Sequence, residues 1–283
     1  MKTRTLTRLR VGRIRYLNTL PFYHDLASIL EKDGLEFEAT AGSPAEINQK
    51  MAQGLIDIAP ISSLEYLNHQ NQYLLFPDLC IGSRDFSGSV LLLSKERIEA
   101  LNGATISLSQ DSLSAATLLK ILLKLRFKFQ NDYRVDPNNP TDMFAHAKAC
   151  LVIGDEALFL RPKEFLYKTD LSEVWWKWTN RPFCFSLWAV NKNFYADHSD
   201  EVNHFFRKLK ANLEKNLEDI EKLIQEGLGV TLVEEKFPTL YSYLFNLNYN
   251  LDKRMLQGLD LFFRYAHELG VSPRPGKLEF IKG

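Results

Sequence analysis

The sequence predicts an α/β protein of two lobes, with a cleft between them and connecting strands that can act as a hinge. Three observations predict this fold. Apolar strand-like segments alternate with amphipathic helical segments through the first 190 residues, and successive βα units form parallel sheets. The alternation starts again near residue 95. Long helical segments then end the chain and would close the first block.

The opening segment, 11–22, begins as a buried strand, breaks at Asn18 and Thr19, and continues as a helix at Pro21. Proline is tolerated in the first turn of a helix because its missing N–H would be unpaired there. In open α/β sheets, ligands bind where a strand ends in front of a helix. Tyr16 and Asn18 are therefore candidate ligand contacts, although an ordinary solvent-facing connection has the same pattern.

Two further helix starts in the first block carry serines. The run Ser43-Pro44-Ala45-Glu46 combines an N-cap serine, an early proline and a glutamate three residues after the cap. The strand 56–61 ends at Ser62 and Ser63, and Ser62 with Glu65 repeats the capping pattern. Helix N-termini attract anions through their free N–H groups and dipole. These serines can therefore contact a ligand, or they can simply cap the helix.

A polar loop precedes the apolar strand 90–94. Its residues Ser87, Gly88 and Ser89 can present hydroxyls and backbone amides to a ligand, or they can form a plain turn. In the second block, the polar cluster 109–114 precedes a helical run.

Ser112 and Ser114 in that cluster form a second candidate anion site, because amides and hydroxyls together can hold a carboxylate. The rest of the second block contains a loop at 131–141, a buried strand at 149–154 and then Asp155, a plausible N-cap.

The remaining segments suggest how the lobes are joined. The three tryptophans within 174–178 are expected to pack the lobes together, and 185–190 is a further strand. Amphipathic stripes predict long helices over 200–225 and 251–269. We therefore expect residues 1–93 together with 189–283 to form the first lobe, and residues 94–188 to form a second, inserted lobe. A cleft between lobes is a favoured ligand site.

Composition excludes several classes of protein. The 35 basic and 35 acidic residues cancel, so no global field favours nucleic acid or an anionic membrane. No apolar run approaches the roughly 20 residues that span a bilayer, and the N-terminus lacks the apolar core of a secretory signal. The three cysteines are widely spaced and are expected to be core residues. Together these features predict a cytoplasmic protein.

The chain lacks the motifs of common catalytic and cofactor sites. It has no GxGxxG, Walker or paired-histidine motif and no G-x-S-x-G elbow, so no nucleotide or metal site is expected. Among the histidines only His24 lies near the opening segment and is a candidate for proton transfer. The candidate residues are mainly hydrogen-bond donors, which suits an anionic small molecule.

The opening segment resembles the G-R-I-x-Y-L-N-T-L-P start of the chorismate dehydratases of the futalosine route to menaquinone. The resemblance covers nearly the whole chain, and its segments follow in the order of the family. They are Gly12–Phe22, Gly54–Leu67, Gly88–Lys95, Leu151–Leu158, Arg181–Val190 and Leu261–Ala266.

The resemblance implies a cytoplasmic hydro-lyase on a type 2 periplasmic-binding-protein-like fold. The implied reaction converts chorismate to 3-[(1-carboxyvinyl)oxy]benzoate and water, with no metal or organic cofactor, and the base is the enolpyruvyl carboxylate of the substrate itself. Asn18 and Ser89 are the implied catalytic residues. The implied substrate-binding residues are Tyr16, Ser62, Ser63, Ser87, Gly88, Ser112, Ser114 and Asp155. Asp111 would repel a carboxylate if it faced the cleft.

Two alternatives remain open at this point. One is the enzyme of the same pathway that makes 1,4-dihydroxy-6-naphthoate, whose expected opening, S-P-C-P-N-D, differs from the Arg15–Thr19 segment found here. The other is a non-catalytic solute-binding protein for an organic anion, which should carry a signal peptide or lipobox. The sequence predicts no nucleic-acid or membrane partner and gives no oligomeric state.

Overall fold

The computed structural model describes residues 8–160 and 166–282, and it contains two β-sheets flanked by helices. The strands of the described chain are β1 (Leu9–Ile14), β2 (Phe37–Gly42), β3 (Ile58–Ser62), β4 (Tyr73–Ser83), β5 (Val90–Ser94), β6 (Thr105–Ser109), β7 (Asp132–Asp136), β8 (Ala149–Ile153), β9 (Tyr167–Asp170), β10 (Phe183–Asn191) and β11 (Leu247–Asn250).

The α-helices of the described chain surround these sheets. They are α1 (Leu20–Tyr23), α2 (Leu26–Lys32), α3 (Pro44–Ala52), α4 (Ser63–Asn68), α5 (Ser114–Ile121), α6 (Pro140–Phe144), α7 (Gly154–Leu158), α8 (Leu171–Thr179), α9 (Lys192–Glu218), α10 (Ile220–Gly227), α11 (Val230–Asn246) and α12 (Lys253–Glu268). Within residues 8–160 and 166–282, none of these helices has the length and apolar character needed to span a membrane.

The first sheet has the order β11-β4-β10-β3-β1-β2. Its β1 strand pairs in parallel with β2 and β3, as the βα alternation predicts, whereas β10 runs antiparallel to β3 and β4. The second sheet has the order β7-β6-β8-β5-β9. In it, β6 pairs in parallel with β7 and β8, and β5 pairs antiparallel with β8 and β9. The predicted α/β class with two βα blocks is confirmed.

The chain crosses between the sheets in two short polar segments, 84–89 and 180–182. Strand β5 pairs with β8 and β9 in the second sheet, and β10 pairs within the first. The apolar strands expected to connect the lobes are therefore internal sheet strands, because each is apolar enough to be buried between two neighbours. Sheet membership assigns residues 90–93 to the second sheet and 183–188 to the first, and the division into domains stays a prediction.

Several local predictions differ from the structure. The predicted loop at 131–141 is wrong, because it contains the edge strand β7 and the start of α6, whose polar residues conceal them in the sequence. The first predicted helix is interrupted at Asp25, which has a left-handed backbone with φ of 61°. The Ser43–Glu46 capping box is confirmed.

The tryptophan prediction is also confirmed. Trp175 of α8 is fully buried, with its ring centroid 5.6 Å from that of Phe183 in the first sheet. Trp178 stacks on Tyr265 of α12 at 5.2 Å. Because α8 follows the second sheet and α12 packs against β10, these contacts join the two halves of the molecule.

A pair of buried asparagines on α9 holds the helix that follows the opening strand. The Asn212 side-chain amide donates to the carbonyls of Phe22 (3.0 Å) and His24 (2.7 Å), and that of Asn216 donates to Pro21 (2.9 Å). These carbonyls end α1, where helix geometry leaves them without partners of their own. The contacts thereby fix α1, and with it the turn that contains Asn18.

Replacing Asn212 by alanine should lower the free energy of unfolding by about 1–3 kcal/mol, since buried carbonyls would lose their donor. Urea denaturation measures the change. Glu214→Ala, at an exposed position on the same helix, is the matched control and should change stability by less than about 0.5 kcal/mol. Equal effects of the two variants would contradict this role of Asn212.

Candidate active site

A cleft lies between the two sheets. The first sheet contributes residues at the ends of β1, β3 and β10, and the second contributes residues of β5, β8 and the start of α5. Of the residues predicted from the sequence, six line this cleft: Tyr16, Asn18, Ser62, Ser89, Ser112 and Ser114. The strand ends and helix starts of both blocks thus meet at one place.

Three of the serines in the cleft also accept hydrogen bonds from the surrounding protein. The Ser62 hydroxyl accepts from the Glu65 amide at 3.1 Å and from the Asn48 side chain at 3.2 Å. Ser112 accepts from the backbone of Ala116 (3.1 Å).

The third serine, Ser114, accepts from the Leu64 backbone amide at 3.1 Å, a bond that joins α5 to the first sheet's α4. A serine hydroxyl has one donor and two acceptor lone pairs. Each of the three hydroxyls already accepts a hydrogen bond from the protein and none donates one within the described chain, so its O–H donor remains available to a ligand. Capping and ligand contact, which the sequence left as alternatives, are therefore compatible.

The cleft holds these donors without a positive side chain. Within residues 8–160 and 166–282, no lysine or arginine lines it, and its one acidic lining residue is Asp111. Burial, together with the charges of Glu156, Asp111 and Asp155, raises the pKa of Tyr16 well above its usual value. The phenol of Tyr16 therefore remains a protonated donor.

The other predicted residues lie beside the cleft and have protein partners. The Ser63 hydroxyl donates to the Cys184 carbonyl at 2.6 Å. The Ser87 hydroxyl and the Gly88 amide both donate to one carboxylate oxygen of Asp170, at 2.8 Å each. These bonds fix the crossing segment 84–89 on the second sheet and so position Ser89.

His24 lies outside the cleft, within 4 Å of the carboxylates of Asp25 and Glu226. Within the described ranges, no group of three or more histidine, cysteine or acidic side chains could hold a metal ion. Cys80, Cys150 and Cys184 are buried and unpaired, as expected for core residues.

The lining residues that were not predicted from the sequence include Phe185, Ser186 and Leu247. Phe185 and Ser186 belong to a strand that was interpreted only as a connector. Leu247 follows α11, which was not predicted at all, because its apolar residues do not form a clear stripe and it contains Pro238. No local signal places α11 at the cleft.

Two contacts join the walls of the cleft at its opening segment. The Leu17 backbone amide donates to Asp155 Oδ1 of the second lobe at 3.1 Å. The Tyr16 ring lies against Gly154, where a Cβ atom would come within 2.5 Å of the ring, and Gly154 has a φ of +69°. Glycine is therefore required at 154, because the backbone is in the left-handed region and the Tyr16 ring leaves no room for a side chain.

Asp155 is mostly buried, and this burial raises the pKa of its carboxyl from 3.8 to about 6. The neighbouring charge of Glu156 acts in the same direction, and the bond from Leu17 opposes both. Above pH 6 the folded protein therefore contains a buried carboxylate that would be better solvated in the unfolded chain. Ionised Asp155 lowers stability above this pH.

Asp155→Asn should keep the acceptor for Leu17 and remove the charge. A raised folded pKa means that wild-type stability falls as pH rises from about 4 to above 6, by up to about 3 kcal/mol. The variant should lack this fall, so its advantage in melting temperature should appear between pH 5 and 7.5. Asp197→Asn, at an exposed position of α9, is the control. Parallel pH curves for wild type and Asp155→Asn would contradict the buried charge.

Comparison with known proteins gives the family and the fold. A family described as menaquinone biosynthesis matches residues 9–268. The chorismate dehydratase of Thermus thermophilus is 26% identical over 281 residues, which covers 94% of this chain and 96% of that protein. A crystal structure of an Archaeoglobus fulgidus protein aligns with a TM-score of 0.70 at 17% identity, covering 93% of this chain and 98% of that one.

A putative periplasmic sulfonate-binding protein of Methylobacillus flagellatus aligns with a TM-score of 0.66 at 15% identity, covering 96% and 90% of the two chains. A Candida albicans protein described as having the generic periplasmic-binding-protein fold gives 0.65 at 10% identity, covering 98% of each. These similarities show the two-lobed fold, as expected from the sequence. The chain belongs to the menaquinone biosynthesis family and has the fold of periplasmic binding proteins.

Proposed function

We propose that this protein is a chorismate dehydratase, a hydro-lyase that converts chorismate to 3-[(1-carboxyvinyl)oxy]benzoate and water. The observation that carries the proposal is the set of free hydroxyl donors in a cleft whose described lining lacks lysine and arginine. Chorismate has two carboxylates, and both need donors. The family match and the Thermus thermophilus relative support the choice of substrate.

The carboxylates of the substrate suit the serines of the two helix starts. Ser62 precedes α4, and Ser112 and Ser114 lie at the start of α5. A carboxylate bound by their O–H groups would also face the N-terminal end of α5, whose dipole favours negative charge. This arrangement would hold the ring carboxylate, which gains electron density through the intervening double bond as the vinylogous ring C–H bond breaks.

The elimination removes a ring proton and the neighbouring hydroxyl, and it leaves an aromatic ring. The enolpyruvyl carboxylate of the substrate takes the ring proton and passes it to the departing hydroxyl, which leaves as water. Asn18 and Ser89 would orient the hydroxyl and the side-chain carboxylate by hydrogen bonds. Formation of the aromatic ring supplies the driving force, so the protein mainly holds one reactive conformation.

The direct test is incubation of the purified protein with chorismate, followed by ultraviolet spectroscopy. We expect loss of the chorismate diene absorption and formation of a substituted benzoate. Unchanged substrate would overturn the proposal. Binding without turnover would then favour the solute-binding alternative, and neither binding nor turnover would favour the naphthoate-forming enzyme.

Asn18→Ala should lower kcat about 100-fold or more, the usual effect of removing one donor from an active site. Asn246→Ala, at an exposed position of α11, is the matched control and should retain normal turnover. Circular dichroism verifies folding of both variants. Near-normal kcat in folded Asn18→Ala would remove Asn18 from the mechanism.

Asp111→Asn should lower KM for chorismate several-fold, because it removes a negative charge from the lining of a cleft that would bind a dianionic substrate. A charge in a partly exposed site is worth about 1 kcal/mol, and the effect should shrink as salt is added. Asp142→Asn, exposed elsewhere in the second lobe, is the control. An increase in KM would instead assign Asp111 a direct role in binding.

A further inference from the structure

Tyr243 is a buried side chain next to the two proposed catalytic residues. It lies on α11, one turn before the cleft residue Leu247, and its side chain is 4% exposed. Its ring is adjacent to Gly88, where an added Cβ would be 4.0 Å from Cδ2. Its hydroxyl neighbours the side chains of both Ser89 and Asn18.

Two polar atoms at this place have no completed hydrogen bond. In the described chain, the Tyr243 hydroxyl and Asn18 Oδ1 are both buried and neither has a partner with formed geometry. The Asn18 amide nitrogen has two N–H donors, and a phenol oxygen accepts hydrogen bonds as well as donating one. A buried hydroxyl left unpaired is costly, so the Tyr243 oxygen has a strong reason to accept from the Asn18 amide.

We propose that Tyr243 is a positioning residue whose hydroxyl oxygen accepts hydrogen bonds from the side chains of Asn18 and Ser89. This inference rests on the proposed function, because it assigns a role through Asn18 and Ser89 in that reaction. An Asn18 amide nitrogen that donates one N–H to Tyr243 directs its second N–H into the cleft. Asn18 would then present this N–H to the substrate, in keeping with the serines around it.

The surroundings of Tyr243 keep its hydroxyl protonated. Burial raises the pKa of Tyr243 far above its usual value; the nearby Ser89 and Asn18 oppose this shift, and the negative charge of Asp155 adds to it. The phenol therefore stays protonated throughout the working range of pH. A tyrosine in this state holds another side chain and does not remove a proton from the substrate.

Tyr243→Phe keeps the ring and removes the hydroxyl. We expect kcat for chorismate to fall about tenfold, with KM changed less than threefold, because substrate carboxylates still find the serines. Tyr249→Phe is the matched control, since Tyr249 is equally buried and its hydroxyl also has no partner in the described chain. Its kcat should stay within twofold of wild type.

A double mutant separates positioning from a general loss of stability. In the Asn18→Ala background, Tyr243→Phe should cause no further loss of kcat, because the side chain that it positions is gone. A further tenfold loss would overturn the proposal. An unchanged kcat in the single variant Tyr243→Phe would also overturn it.

A second readout does not depend on turnover. The side-chain amide signals of Asn18 in a ¹⁵N–¹H spectrum are identified by their loss in Asn18→Ala. Tyr243→Phe should shift these signals and Tyr249→Phe should not. Shifted signals in a protein without chorismate turnover would support the contact and reject the proposed function, whereas unshifted signals in an active enzyme would reject the contact alone.

Discussion

The contact between the opening segment and the start of α7 sets the shape of the cleft. Leu17 donates its backbone amide to Asp155, and the Tyr16 ring occupies the space that a side chain at position 154 would need. These two contacts hold the end of β1 against the second sheet. Because Asn18 follows directly, its placement opposite the second lobe depends on them. This arrangement also buries the ionised carboxylate of Asp155, which lowers the stability of the folded protein.

The rest of the site follows from how the two sheets face each other. Strand ends and helix starts of both sheets open toward one cleft, and the Leu64–Ser114 bond joins them at a second point. The serine oxygens accept hydrogen bonds from backbone amides near the helix starts, and the serine O–H groups remain available to a ligand. An anion can therefore be held by oriented neutral groups, whose dipoles require little reorganisation during a reaction.

The fold was largely predictable because its signals are local. Capping serines, buried strands and βα alternation lie within a few residues of each other, and they correctly indicated Asn18, Ser62 and Ser112 as cleft residues. Tyr243 was not predictable. It is more than 150 residues from Ser89 and lies on a helix with no distinctive pattern. Strand β7 was missed because one edge strand with polar residues looks like a loop.

The central claim is that neutral donors hold the carboxylates of the substrate. A crystal structure of the Asn18→Ala variant with unreacted chorismate tests it most directly. We predict that carboxylate oxygens lie within hydrogen-bonding distance of the hydroxyls of Ser62, Ser112 or Ser114, with the lobes joined at Asp155. Carboxylates paired instead with an arginine or lysine, or directed away from the serines into solvent, would contradict the account.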